Sequence, residues 1–182
     1  MKTAQDAADR AKHIQALVLD VDGVLTDGKL HYTARGESRK VFHSRDGFAI
    51  KLAQSLGLRV AILSGRGGPV LRRRLNDLGI PSELVVEESR DKVTDFLALC
   101  RRVGLTPTQV AYMGDDLPDL AVLRQAGLAC APADAPEEVQ EACHLITRAP
   151  GGAGAVRELV VFVLEAKGLW EQVLRQWGGA EP

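Results

Sequence analysis

Short runs of apolar residues recur along this chain and alternate with longer stretches in which apolar residues repeat every three or four positions. The short runs have the length and β-branched content of buried strands, whereas the longer stretches have the spacing of amphipathic helices. The predicted strands cover residues 16–19, 59–63, 84–86, 110–113, 128–131 and 145–147. The predicted helices cover residues 47–56, 69–78, 91–103, 117–125, 136–142 and 155–167, with an extension of the last to residue 177 left open.

Strands that alternate with helices predict an α/β fold with a doubly wound parallel sheet, because parallel neighbours need crossover connections and the crossover helices cover both faces. A chain of 182 residues suits one core, so residues 1–182 are expected to form a single domain. The segment between the first two core strands is too short to hold a separate cap domain. We therefore expect a Rossmann-like core whose site is open within one subunit.

One insertion interrupts the alternation after the first strand. Residues 29–33 and 38–42 show partial alternation of apolar and polar positions, and the turn between them contains Gly36, which accepts a positive φ. The pattern predicts a β-hairpin inserted at residues 29–42. A hairpin here is either a surface ornament or a flap or oligomer contact beside the site. We favour the second interpretation, because little else in the chain is available to cover a pocket.

Polar side chains follow four of the predicted strands where each strand ends. Asp20 and Asp22 follow the first strand, Ser64 follows the second, Lys92 comes shortly after the third, and Asp115 follows the fourth. Because the carboxyl ends of parallel strands meet at one edge of a sheet, we expect these side chains to converge there. Each motif alone has a plain structural explanation, as a surface turn, a helix cap or a solvated lysine. Their occurrence together favours a catalytic site.

Carboxylates gathered at one edge repel one another unless a cation neutralises them. Carboxylate oxygens with water are ligands that Mg²⁺ prefers, so Mg²⁺ is the predicted cofactor, held by Asp20 and Asp115. With its charge screened, Asp20 is able to attack phosphorus, and Asp22 is able to exchange protons with the leaving oxygen and with water. Ser64 and Lys92 would donate hydrogen bonds and positive charge to the phosphoryl oxygens.

The motifs, in this order, resemble those of the haloacid dehalogenase (HAD) superfamily of aspartyl phosphotransferases over residues 14–164. Asp20, Asp22, Ser64, Lys92 and Asp115 fall on that family's functional positions one by one. The resemblance implies that Asp20 is the nucleophile and that Asp22 is the general acid and base. It also implies that the main-chain carbonyl of Asp22 is a metal ligand. A second Asp at this spacing favours a phosphatase or mutase over a dehalogenase.

Within that superfamily the chain is most similar to the capless branch that includes the 3-deoxy-D-manno-octulosonate 8-phosphate (KDO 8-phosphate) phosphatases. The similarity is carried by residues 20–28, 42–47, 64–66, 114–119 and 151–158. It implies a 2-keto-3-deoxy sugar acid phosphate as substrate and a homotetramer in which a neighbouring subunit helps to close each site. Such a substrate carries a carboxylate besides its phosphate, so its pocket should hold additional cations. The substrate-binding positions expected from the resemblance are Asp22, His43, Ser44, Arg45, Asp46, Gly47, Lys51, Gly65, Arg66, Arg74 and Lys92.

Several positions depart from that branch: His43 replaces the usual Asn, Lys51 a frequent Arg, and Ala153 an occasional Arg, while residues 87–88 place two acids near the site. These changes leave the reaction class unchanged and the sugar open, so a nonulosonate 9-phosphate is a second candidate substrate. A receiver-like phosphoacceptor domain is a hypothesis from another class. Asp22 argues against it, because an acid and base beside the nucleophile promotes turnover.

Composition narrows the class of partner. Apolar residues make up 46% and charged residues 26% of the chain, as in ordinary soluble domains, and the formal net charge is -1. A net charge this close to zero does not attract nucleic acid or an anionic membrane electrostatically, so we expect a small-molecule partner. The three cysteines lack metal-ligand spacing, and the sequence shows no apolar leader or spanning segment. We therefore expect a cytoplasmic protein with reduced thiols.

Overall fold

The structure, a computed structural model, describes residues 4–178 and confirms the predicted alternation of strands and helices. The strands are β1 (Ala16–Leu19), β2 (His31–Thr33), β3 (Gly36–Arg39), β4 (Arg59–Leu63), β5 (Val85–Val86), β6 (Val110–Met113), β7 (Leu128–Ala131) and β8 (Leu145–Ile146). The α-helices are α1 (Ala4–Ala11), α2 (Ser44–Ser55), α3 (Pro69–Asp77), α4 (Lys92–Arg102), α5 (Leu120–Leu123), α6 (Glu137–Ala142), α7 (Ala155–Ala166) and α8 (Trp170–Gly178).

Six of the strands form one parallel sheet in the order β5-β4-β1-β6-β7-β8. The chain builds outward from β1 in one direction, then crosses over and builds outward through β6 in the other. This reversal is the topological switch point at which open α/β sheets bind ligands. The doubly wound α/β fold predicted from the sequence is confirmed, and the switch point brings the ends of β1, β4 and β6 together.

Apolar side chains on the two faces of the sheet form two cores. On one face, Leu17 of β1 belongs to the core that contains Ile50 of α2 and Leu159 of α7. On the other face, Val18 belongs to the core that contains Phe96 of α4. Each fully buried side chain of this size contributes about 1.5–3 kcal/mol relative to exposure. Strand β1 is therefore anchored on both faces, and the loop that follows it starts from a fixed position.

The predicted hairpin is present as a separate two-stranded antiparallel sheet made of β2 and β3. Its strands differ from the predicted residues 29–33 and 38–42. Strand β2 starts at His31, and β3 starts at Gly36, inside the predicted turn, and ends at Arg39, after which the Lys40 side chain turns inward and is buried. Tyr32 on β2 stays exposed, as do the flanking residues Leu30 and Val41. The hairpin thus presents apolar side chains outward and a lysine inward.

Several helix boundaries differ from those predicted. Helix α2 begins at Ser44 rather than Gly47, because residues 44–46 continue its hydrogen-bonding pattern back to His43. The predicted helix at 117–125 is a 3-10 turn followed by the single α-turn of α5. The possible extension of the last predicted helix to residue 177 is instead a separate helix, α8. Gly168, with a φ of +69°, ends α7 before it.

Candidate active site

The loop after β1 is held in place by a glycine pair from a distant part of the chain. A Cβ atom added to Gly151 would lie 1.8 Å from the carbonyl oxygen of Gly23. The N–H of Gly152 donates a hydrogen bond to the carbonyl of Val24 at 2.9 Å. Only residues without side chains allow the two backbones to approach this closely. The loop that carries Asp20 and Asp22 is therefore clamped between the sheet and residues 151–152.

Gly23 also makes room for the carboxylate from β6. Its φ is +82°, and a Cβ atom there would lie 1.9 Å from Oδ2 of Asp115. Both the backbone conformation and the space exclude any other residue. The glycine in the Asp-x-Asp-Gly motif is thus what allows Asp115 to reach the first strand's loop.

Three carboxylates converge at the switch point. Oxygens of Asp20, Asp115 and Asp119 lie within 4.8 Å of one another. The Nζ atom of Lys92 is 2.8 Å from Oδ2 of Asp20 and 2.7 Å from Oδ1 of Asp119. One ammonium group among three carboxylates leaves an excess of negative charge. The donor set, all oxygen, fits a hard divalent cation such as Mg²⁺.

Asp119 has a different surrounding from the other two acids. Its Oδ1 accepts hydrogen bonds from Lys92 and from the hydroxyl of Tyr112, and its Oδ2 accepts from the N–H groups of Asp115 at 3.2 Å and Asp116 at 3.3 Å. Since both of its oxygens are committed to the protein, Asp119 holds Lys92 and the Asp115 backbone in place. Each oxygen of Asp119 accepts two hydrogen bonds, whereas each oxygen of Asp20 accepts one, from the N–H of Val21 and from Lys92. Asp20 and Asp115 therefore remain the expected ligands of a cation.

Burial and crowding disfavour ionisation of these acids. Burial raises the pKa of Asp20 to about 6, and the neighbouring Asp119 carboxylate adds to the rise while Lys92 opposes it. Burial also raises the pKa of Asp115 to about 7, reinforced by the Asp20 and Asp119 carboxylates. Burial by itself would lower the pKa of Lys92, but its two ion pairs outweigh that effect and the pKa is raised. A second positive charge would therefore be strongly stabilised here.

We expect Mg²⁺ binding to strengthen as the pH rises from about 5 to 7.5, because protons and metal compete for Asp20 and Asp115. In the folded protein, Asp20 and Asp115 have pKa values above the ordinary carboxyl range. Their bound protons therefore stabilise the metal-free fold at low pH, and this contribution is lost as the pH rises through 6 and 7. The gain in melting temperature with Mg²⁺ over EDTA should then be larger at pH 7.5, with an apparent Kd at least about tenfold lower. A gain that is independent of pH, or that survives Asp115→Asn, would contradict this expectation.

All five sequence-predicted catalytic and metal side chains line one cavity of about 660 Å³. Ser64 is buried directly after β4, and its Oγ accepts a hydrogen bond from the N–H of Arg66 at 3.2 Å. That bond orders the start of the loop before α3, where backbone N–H groups and the hydroxyl are available to phosphoryl oxygens. The lining consists of Asp20, Asp22, Gly28, Ser64, Gly65, Arg66, Ser89, Arg90, Asp91, Lys92, Val93, Asp115, Asp116, Pro118, Asp119 and Ala121.

The remaining predicted substrate-binding residues lie outside that lining. They lie at the N-cap of α2, along α2 and in the last turn of α3, and are His43, Ser44, Arg45, Asp46, Gly47, Lys51 and Arg74. The guanidinium of Arg74 stacks over the Phe42 ring at 5.6 Å and fills the space that a Cβ at Gly47 would take. Within the described residues of one subunit, this set and the phosphate side of the cavity are not brought together.

The acidic pair after β5 points away from the cavity. Glu87 pairs with Arg72 of α3 at 2.5 Å and accepts a hydrogen bond from the N–H of Gly68. Glu88 is exposed, and neither side chain lines the cavity. The next two residues of the segment, Ser89 and Arg90, do line it. The acids that depart from the family pattern are therefore no barrier to an anionic substrate.

Asp46 caps a helix. Its two oxygens accept hydrogen bonds from the N–H groups of Gly154, at 3.2 Å, and Arg157, at 2.8 Å, where α7 begins. Asp46→Ala should lower the free energy of unfolding by about 1–2 kcal/mol, as expected for loss of an N-terminal cap. Urea denaturation measures that loss. A variant with wild-type stability and a raised KM would instead favour direct contact with substrate.

Tyr112, Glu37 and Lys40 are site residues that the sequence did not indicate. Tyr112 lies in β6, where all four side chains are buried and no alternation marks the one that reaches Asp119. Lys40 pairs with Asp22 and with Glu37 of β3, although a lysine beside a hairpin is normally exposed. These contacts form only when distant parts of the chain pack together, and no local sequence pattern indicates them.

The chain was compared with known proteins. A family model of haloacid dehalogenase-like hydrolases matches residues 82–159. The 3-deoxy-D-manno-octulosonate 8-phosphate phosphatase KdsC of Haemophilus influenzae is 44% identical over 159 residues, covering 87% of each chain. A probable YrbI family phosphatase from Pseudomonas syringae superposes with a TM-score of 0.93 at 41% identity, covering 98% of this chain and 100% of that one.

A further solved structure, 3-deoxy-D-manno-octulosonate 8-phosphate phosphatase from Moraxella catarrhalis, contains a magnesium ion, a phosphate ion and a KDO molecule. It superposes with a TM-score of 0.91 at 32% identity and covers 96% of this chain and 99% of that one. The similarity extends over nearly the whole chain and agrees with the motifs, the fold and the carboxylate cluster. The chain therefore belongs to the KdsC family of haloacid dehalogenase-like hydrolases.

Proposed function

We propose that the protein is a Mg²⁺-dependent phosphomonoesterase that hydrolyses KDO 8-phosphate to KDO and phosphate through an aspartyl-phosphate on Asp20. The observation that carries the proposal is the meeting of Asp20, Asp115, Ser64 and Lys92 around one cavity, beside an oxygen cluster that fits a divalent cation. The relative from H. influenzae is named for this reaction, and the M. catarrhalis structure holds the cation and both products. Both support the proposal.

The chemistry divides into two displacements. A carboxylate oxygen of Asp20 attacks phosphorus, the bond from phosphorus to the sugar oxygen breaks, and a proton on Asp22 passes to that oxygen. A water molecule then gives a proton to Asp22 and attacks phosphorus, which releases phosphate and restores the Asp20 carboxylate. Lys92, Ser64 and backbone N–H groups stabilise charge on the phosphoryl oxygens. Asp20, Asp115 and the Asp22 carbonyl would hold Mg²⁺, which would neutralise charge on the nucleophile and the substrate.

Phosphate release from a panel of phosphomonoesters, with Mg²⁺ or with EDTA, tests the proposal. We expect turnover only with Mg²⁺ and the highest kcat/KM on KDO 8-phosphate, followed by nonulosonate 9-phosphates and then by sugar phosphates that lack a carboxylate. If kcat/KM is highest on a nonulosonate 9-phosphate, the proposed substrate is wrong and the proposed reaction class stands. Absence of metal-dependent release on every ester would refute the proposal.

A receiver-like phosphoacceptor role predicts a different result in the same samples. Such a domain needs a lasting phosphoaspartate, whereas Asp22 lies two residues from Asp20 and lines the same cavity. In samples quenched with acid at successive times, we expect the phosphorylated protein to disappear within the turnover time once the substrate is consumed. A phosphoaspartate that persists for minutes while no phosphate is released would favour the regulatory role.

We further propose that residues 1–182 form one domain and that the protein is a cytoplasmic homotetramer. The exposed apolar side chains of the hairpin region, Leu30, Tyr32 and Val41, support a subunit contact there. The position of Arg74 and Lys51 outside the cavity of their own subunit supports a role in a neighbour's site. Within the described residues, no helix combines the length and apolarity needed to cross a bilayer. Sedimentation at micromolar concentration and complementation between Asp20→Asn and Arg74→Ala subunits test this assembly.

A further inference from the structure

Lys40 is buried to a degree that is unusual for a lysine. It follows β3 directly, and its side chain is 3% exposed. Its ammonium group pairs with Oδ1 of Asp22 and lies 2.8 Å from Oε1 of Glu37. A buried ammonium is stable only when acids and hydrogen-bond acceptors surround it, so these two contacts fix where Lys40 lies.

The contact with Lys40 leaves the two oxygens of Asp22 in different states. Oδ1 is held by the ammonium group, whereas Oδ2 is buried and has no hydrogen-bond partner. The Nε atom of Arg66 is 3.6 Å from Oδ2, beyond hydrogen-bond distance. Asp22 and Arg66 line the cavity, whereas Lys40 is not among its lining residues. Oδ2 is therefore the oxygen without a partner, and a ligand reaches it when the Arg66 guanidinium beside it shifts.

A second cation completes the network and ties it to the hairpin. Nη2 of Arg66 is 3.5 Å from Oε2 of Glu37, and the same guanidinium contacts Tyr32, with its central carbon 5.7 Å from the ring centre. With Asp22 ionised, the two acids and two bases of this network balance in charge; with the catalytic proton on Asp22, the network carries one net positive charge. The hairpin thereby reaches Asp22 through side chains of its own subunit.

We propose that Lys40 is a positioning residue for the general acid and base, orienting Asp22 so that Oδ2 faces the leaving oxygen. The inference rests on the proposed function of Asp22. Proton transfer contributes about 10²–10⁴-fold to a rate, and it does so only when the donor is within hydrogen-bond reach. A loop carboxylate whose oxygens are both unanchored is able to rotate about its side-chain bonds. Lys40 provides that anchor.

A lysine that merely holds the hairpin in place would also be buried, so the experiment must separate the two roles. An alkoxide leaving group, as in KDO 8-phosphate, needs a proton when the phosphorus bond breaks. The nitrophenolate of p-nitrophenyl phosphate is a good leaving group without one. Lys40→Met should therefore lower the single-turnover rate on KDO 8-phosphate by about 100-fold and change the p-nitrophenolate burst rate by less than about threefold.

The dependence on Asp22 is tested by combining variants. Asp22→Asn should show the same difference between substrates, and Asp22→Asn/Lys40→Met should lose no more than about threefold beyond Asp22→Asn alone, because Lys40 acts through Asp22. Lys29→Met, whose side chain is 77% exposed and pairs with Asp27, is the control and should match wild type on both substrates. If Lys40→Met does not fold, Lys40→Gln, which keeps a donor but not the charge, should show a smaller loss of the same kind: at least about tenfold on KDO 8-phosphate and less than about threefold on p-nitrophenyl phosphate.

Three outcomes overturn the inference. Equal losses on both substrates would mean that Lys40 maintains the site as a whole. Losses that multiply in the double variant would mean that Lys40 acts independently of Asp22. A wild-type protein without metal-dependent turnover would refute the proposed function and this inference with it. The first two results, obtained with an active wild type, remove only the role assigned to Lys40.

Discussion

Asp20→Asn should lower kcat on the physiological phosphate ester by on the order of 10⁵-fold, the scale seen when a covalent nucleophile is removed. An amide oxygen does not form the phosphoryl bond that the carboxylate forms, while the similar size of Asn preserves packing in a site where Asp20 is 7% exposed. Saturating kinetics on freshly purified protein measure the loss. Rapid acid quenching with labelled substrate should find phosphoprotein in wild type and none in the variant.

Asp9→Asn is a suitable control for that experiment, because Asp9 is exposed on α1 and its side chain contacts Gln5 on the same helix and Lys12 just after it, far from the cavity lining. It should retain wild-type turnover and labelling. An Asp20→Asn protein that keeps more than about a hundredth of the wild-type kcat, or that still becomes labelled, would show that phosphoryl transfer does not pass through this carboxylate.

Gly23→Ala should have the second largest effect, for a reason that concerns space rather than chemistry. The new methyl group would overlap Oδ2 of Asp115, which must then move away from Asp20. A displacement of about 1 Å in a catalytic group costs roughly 100-fold in rate, and we expect at least that loss in kcat. Mg²⁺ titration should show a parallel loss of affinity, since Asp115 is one of the proposed ligands.

Gly57→Ala separates this clash from backbone strain. Gly57 has a φ of +86°, close to that of Gly23, but no atom lies within 4 Å of its added Cβ. Both variants should lose about 1–2 kcal/mol of stability from the left-handed conformation, and only Gly23→Ala should lose metal affinity and turnover. Equal activity of the two variants would show that Asp115 does not need its present position.

The fold and the cavity residues could be anticipated because both follow from chain order. Parallel strands place their carboxyl ends on one edge, so residues that follow strands, such as Asp20, Ser64 and Asp115, meet whatever the details of packing. The hairpin was anticipated for a similar reason, since Gly36 and the alternation beside it are local features. Short-range patterns were enough for these predictions.

Contacts between distant parts of the chain could not be anticipated in this way. Asp46 lies in a segment whose sequence resembles a substrate-binding turn. Its hydrogen-bond partners at the start of α7 are nevertheless 108 and 111 positions away in the chain. Lys40 and Tyr112 likewise acquire their surroundings only when the hairpin and β6 pack against the first loop. Local propensity describes a segment by itself, whereas the role of these residues depends on which other segment packs against them in the fold.

The glycine pair that clamps the nucleophile loop has a consequence for biosynthesis. The loop residues 20–24 leave the ribosome more than a hundred residues before the backbone that fixes them, at Gly151 and Gly152. We expect a nascent chain that has already paired β1 with β4 to remain inactive until that glycine pair has emerged. Activity is in this sense a checkpoint of translation, reached only by chains that have been synthesised past residue 152.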